Sequence, residues 1–164
     1  MITFRPLAGA VAAESPVPLA YLLQLDDIRI LLDCGSPDWS PEQPAPPSSY
    51  CAALRACAPT VDLVLLSHGD LAHAGLYAYA HARWGLKAPA YTTIPVQAMA
   101  RIVTLEDIEG TRDEQDVPED SSPSVSDPFR DAASPKYIAT VHQIHEAYDA
   151  VNTLRYSQPT HLQG

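Results

Sequence analysis

Three side chains within six residues have the makings of a metal cradle: His68, Asp70 and His73, in the stretch DLVLLSHGDLAHAG over residues 62–75. Two imidazoles and a carboxylate are a ligand set that zinc accepts. Spacing alone leaves a second reading open, in which Ser67 and the histidines satisfy backbone groups at a turn. Asp33 closes another apolar run, IRILLDC over 28–34, so Asp33 and His68 both follow apolar strand-like segments. The C-terminal ends of buried strands are where open α/β sheets gather their chemistry. Cys34, next to Asp33, reads as a small buried hydrophobe rather than a nucleophile, because the sequence places no histidine beside it.

The elements that must position these residues can be read from pattern. Residues 2–7 form a short strand. Residues 19–25 and 28–34 form two more, joined at Asp26-Asp27 as a hairpin. A Pro-rich loop follows over 36–49. Ser48 or Ser49 starts a helix through Ala58, and Pro59 stops it. Residues 61–66 are almost wholly apolar, as in a strand covered on both faces. After the His-Asp-His stretch, a helix from Leu76 to Trp84 ends at Gly85. A strand at 88–93 follows, then a helix with Pro95 in its first turn that runs to about Leu105. Thr140 and Gln143 have capping-box spacing. Ile144, Ala147, Tyr148 and Val151 make one helical face, and a last strand is expected at 154–157. Strands alternating with helices give an α/β fold with helices layered on a sheet.

The chain has 164 residues, of which 46% are hydrophobic, enough for one domain with a core. Its net charge of −10 is uneven: residues 106–131 hold ten acids and two bases, leaving the body nearly neutral. Nothing basic suggests a nucleic-acid surface. Residues 109–128 are rich in charge, Ser and Pro, and are expected to be a disordered acidic insertion with little to bury. Phosphorylation at Ser121, Ser122 or Ser124 is the less favoured reading of that segment. Three cysteines without a CxxC point to free thiols. No apolar run approaches a membrane span of roughly 18 residues. His81, His142 and His145 fall on helices as surface or half-buried residues, and His161 is given no role. Tyr77, Tyr79 and Trp84 have the spacing of helix-packing residues.

The order strand–LLDCG–helix–VLLSH–loop–helix resembles the opening half of the metallo-β-lactamase fold. In that family the loop after this strand reads H-x-H-x-D-H and feeds two zinc ions. Here it reads His68-Gly69-Asp70-Leu71-Ala72-His73. The outer histidines match. Asp70 stands where the second histidine would be, and Ala72 where the aspartate would be. Four segments, AYLLQLDDIRILLDCG, DLVLLSHGDLAHAGLYAYA, APAYTTIPVQAMARIV and LRYSQPTHL, resemble the metallo-β-lactamase/β-CASP members with a degenerate metal loop. These form the subunit 2 family of the cleavage and polyadenylation specificity factor.

The resemblance implies the N-terminal part of a metallo-β-lactamase-like αββα sandwich over residues 1–164, incomplete at the C-terminus as in a fragment or truncated gene model. It implies no catalytic residue, no zinc cofactor and a pseudo-enzyme. Asp33 supports the loop through hydrogen bonds rather than binding metal. The role implied is that of a nuclear scaffold of the mRNA 3′-end processing complex, pairing with the endonuclease subunit and meeting pre-mRNA through the complex, without a membrane. Two alternatives stand beside it: a metal-dependent hydrolase or RNA endonuclease with an altered ligand set, and a generic interaction module on a dead hydrolase fold.

Overall fold

The computed structural model describes residues 1–7, 20–36, 48–115, 137–157 and 159. Among them one six-stranded sheet runs in the order β1 (Ile2–Pro6), β2 (Tyr21–Leu25), β3 (Ile28–Leu32), β4 (Leu63–Leu65), β5 (Ala90–Thr93) and β6 (Asn152–Leu154). The first three strands are antiparallel and the last four, sharing β3, are parallel. The switch follows from the connections. Asp26 and Asp27 close β2 onto β3 directly, with Asp26 at φ 51°, a left-handed angle that Asp tolerates better than most residues. Parallel neighbours need longer crossovers. Here they carry α1 (Ser48–Cys57), then α2 (Leu71–Ala74) with α3 (Tyr77–Arg83), then α4 (Ile94–Gln115) with α5 (Val141–Asp149).

The register decides what lies on each face. Leu22, Leu31, Val64 and Ala90 share one side, and Leu31, Val64 and Ala90 are buried in the main core. The helices supply much of the rest of that core, including Leu54, Tyr77, Ala100, Ile144 and Tyr148. The other side of β1–β3 carries Ile2, Phe4, Pro6, Tyr21, Leu23, Leu25, Ile28, Ile30 and Leu32. Every one is apolar or aromatic, yet Ile2 is 75%, Phe4 58% and Ile28 55% exposed. Phe4 and Tyr21 stack at 5.0 Å between ring centroids.

Several local expectations hold. Pro95 lies in the first turn of α4, Gly85 takes φ 72° just after α3, and Thr140 and Gln143 form a reciprocal capping box on α5. Ile144, Ala147, Tyr148 and Val151 are all buried. Tyr79, Trp84 and Tyr137 make a cluster of edge-on rings 5.2–5.4 Å apart, so the aromatic residues of α3 serve packing.

Most strand ends fall within two residues of expectation, and two elements depart further. Helix α4 was expected to end near Leu105 but runs to Gln115, so the start of the acidic 109–128 segment is helical. Ala100, Thr104 and Ile108 are all buried at four-residue spacing. That stripe anchors the helix beyond Leu105, and Glu, Arg and Gln extend it at little cost in propensity. The rest of the segment, with Ser121, Ser122 and Ser124, lies outside the described residues. Strand β6 begins at Asn152 rather than Leu154, and Ser157, expected inside it, sits at φ 57° in a turn. The strand starts at once after α5 because it must align with β5, Tyr91 opposite Asn152.

Candidate functional site

Chain segments 33–36 and 67–76 leave the C-terminal ends of β3 and β4 side by side. Three backbone hydrogen bonds knit them: Cys34 N–H to the His73 carbonyl at 2.6 Å, Ser36 N–H to Leu71 at 2.7 Å, and Leu76 N–H to Cys34 at 2.9 Å; Asp33 N–H also donates to Leu65 of β4 at 2.9 Å. Behind them the Tyr50 hydroxyl donates to the Gly35 carbonyl at 2.8 Å and the Tyr148 hydroxyl to the Ala74 carbonyl at 3.2 Å. The loop also lies directly on α4. A Cβ at Gly69 would come within 2.6 Å of Met99 Cβ and 3.0 Å of the Val96 carbonyl oxygen, so the backbone approach requires glycine there.

Asp33 is buried and takes φ 60°. That conformation turns its side chain across to the neighbouring strand end. Its Oδ1 accepts the Ser67 N–H at 2.7 Å and its Oδ2 accepts the Ser67 hydroxyl at 2.6 Å. Ser67 Oγ in turn lies 2.7 Å from His68 Nδ1. His68 and His73 face one another at 4.4 Å between ring centroids, tilted by 37°. Asp70 caps the short helix α2: its Oδ1 accepts the His73 N–H at 3.0 Å and lies 2.6 Å from His73 Nδ1. Its side chain is 54% exposed against 17% for His73.

The structure therefore brings all four sequence-identified residues, Asp33, His68, Asp70 and His73, to one place. The bridging role of Ser67 escaped the sequence reading, which placed it only at a turn. Its partner Asp33 is 34 residues away, so no local pattern could connect them. The remaining histidines stay apart from the loop. His142 and His145 are exposed on α5, and His81 is half-buried on α3, where burial and then Lys87 lower its pKa against an opposing pull from Glu146. His161 lies outside the described residues. Cys34, Cys51 and Cys57 are buried and carry thiols rather than disulfides. Burial, with Cys57, Asp33 and Cys51 adding, raises the Cys34 pKa well above its ordinary value, which removes thiolate character.

The model of the metallo-beta-lactamase superfamily domain matches residues 22–164. The chain belongs to the metallo-β-lactamase superfamily. Within the superfamily it is similar to cleavage and polyadenylation specificity factor subunit 2 of Oryza sativa, at 42% identity over 106 residues, 65% of this chain and 13% of that protein. The corresponding subunit 2 of Arabidopsis thaliana is 31% identical over 163 residues, 99% of this chain and 18% of that protein. The probable subunit 2 of Drosophila melanogaster is 38% identical over 102 residues, covering 62% and 12%. The chain thus spans less than a fifth of the length of these relatives.

For a metallo-β-lactamase loop, the donors present do not fit a two-ion site. Ala72 carries no lone pair. The Asp70 oxygen nearest the histidines is already shared between the His73 ring and its backbone N–H. Among the described residues, no group of three or more His, Cys, Asp and Glu side chains is placed to hold a metal ion. No helix among them is long and apolar enough to cross a membrane.

Proposed function

We propose that this chain is a non-catalytic scaffold element of the nuclear mRNA 3′-end cleavage and polyadenylation complex, pairing with the endonuclease subunit and meeting pre-mRNA through the complex. One observation carries the reading: in a chain similar to subunit 2 over its matched length, the carboxylate of the metal loop serves as a helix cap and imidazole partner. A hydrolase of this fold uses bound ions to activate water and to steady the charge that develops on the scissile group. A loop whose carboxylate is spent on capping keeps the shape and gives up that chemistry. What then remains to contribute is surface.

The second reading, a metal-dependent hydrolase or RNA endonuclease with an altered ligand set, draws on His68 and His73, whose rings stand together at the strand ends. One experiment separates the two. The purified chain is mixed with the endonuclease subunit and run on a sizing column, and in parallel incubated with RNA and zinc or manganese. The scaffold reading expects co-elution and no cleavage by this chain alone. Metal-dependent cleavage abolished by His68→Ala would replace it with the second reading, and failure to co-elute would remove the pairing.

A further inference from the structure

We infer that Ser67 and Asp70 are positioning residues that hold the two loop imidazoles by hydrogen bonds at Nδ1, fixing both as Nδ1–H tautomers. The inference concerns the loop alone and goes beyond the scaffold reading, without depending on which partner the chain meets.

A serine hydroxyl has one proton. Asp33 Oδ2, at 2.6 Å, takes it, while Asp33 Oδ1 is already accepting the Ser67 N–H at 2.7 Å. Only lone pairs of Ser67 Oγ are then left to face His68 Nδ1 at 2.7 Å, so the proton of that bond sits on Nδ1. At the other imidazole, Asp70 Oδ1 is an acceptor at 2.6 Å and His73 Nδ1 is again the donor. Each ring therefore has Nε2 as its bare nitrogen, the tautomer that a hydrogen bond at Nδ1 imposes. In metal sites, such outer hydrogen bonds orient a histidine whose other nitrogen binds the ion. Here Asp70 takes the outer position itself. The rings rest on one another at 4.4 Å, on a loop whose Gly69 backbone lies against α4, so protein contacts support their placement.

Imidazole 15N chemical shifts of the whole chain, recorded at a pH where both rings are neutral, before and after dialysis against a chelator, test this. The expected spectrum has both rings protonated at Nδ1 and does not change on chelation. Ser67→Ala should return His68 to the Nε2–H form common for free imidazole and leave His73 unchanged, so His73 serves as the internal check that the loop is still folded. Asp70→Ser keeps a helix-capping oxygen on a side chain too short to reach the ring; it should release His73 alone. Wild-type rings protonated at Nε2, a spectrum that changes when the chelator is added, or tautomers indifferent to both substitutions would each overturn the inference.

Discussion

The loop at residues 67–74 is polar, and its side chains are tied to protein partners: Asp33 to Ser67, Ser67 to His68, Asp70 to His73. The outer face of β1–β3 is apolar and stands half open, with Ile2, Phe4 and Ile28 more than half exposed. Among the described residues, the polar groups of the loop have protein partners, while the outer face of β1–β3 leaves apolar surface exposed. Contiguous apolar area of this kind on a sheet marks a place where another surface belongs. For a chain whose proposed contribution is assembly, the contrast is the expected one.

Substitutions on the two faces of the sheet should break this comparison most severely if it is wrong. Val64→Asp puts an unpaired charge at a fully buried position of β4, at a cost of several kcal/mol, comparable to about 3–5 for an uncompensated buried charge. Circular dichroism should show loss of the cooperative melt. Leu23→Asp, half-buried on the open face, should leave the fold and reduce binding of a hydrophobic dye. Equal damage from both would mean that the outer face is covered after all.

The loop should respond on a smaller scale. Asp33→Ala removes both acceptors of Ser67 and leaves a non-glycine residue at φ 60°, a loss of about 2–4 kcal/mol from two part-buried hydrogen bonds to a carboxylate. Asp33→Asn keeps an acceptor and tolerates the backbone angle, so it should lose roughly half as much by the same reasoning. Gly69→Ala forces Met99 and α4 away from the loop, with a loss of about 1–3 kcal/mol, the range for overpacking. Urea denaturation of the three variants ranks them. A Gly69 variant as stable as the parent would show that the loop does not need its seat on α4.

The smallest effect belongs to His81. Its folded pKa is lowered, first by burial. The unfolded chain therefore binds the proton more readily, and stability falls as pH drops below the ordinary histidine value of about 6.5. His81→Asn should flatten that acid slope, visible in melting temperatures taken between neutral and mildly acidic pH. An unchanged slope would assign it to other groups.

Much of this architecture was legible in the sequence because it is written in local terms. The hairpin at Asp26-Asp27, the Thr140–Gln143 box, Gly85 and the buried stripe of α5 each follow from residues within a turn or two of one another. The end of α4 is not legible in the sequence, because the polar composition of residues 109–115 hides how far the stripe through Ala100, Thr104 and Ile108 anchors the helix. At the site, the four residues could be named, but their connections could not. That Asp70 is spent on His73, and that Ser67 joins Asp33 to His68, depends on atoms placed by the meeting of β3 and β4. Resemblance showed which ligands the loop lacks, and geometry shows what the replacements do.

The metal content of the chain itself tests the central claim most directly. Protein expressed in zinc-supplemented medium, purified without chelator and measured by elemental analysis, should carry well below one zinc per chain, because Asp70 is committed elsewhere and Ala72 offers no donor. Two zinc ions per chain, or one that disappears on His68→Ala, would contradict the account and return a metal site to the loop.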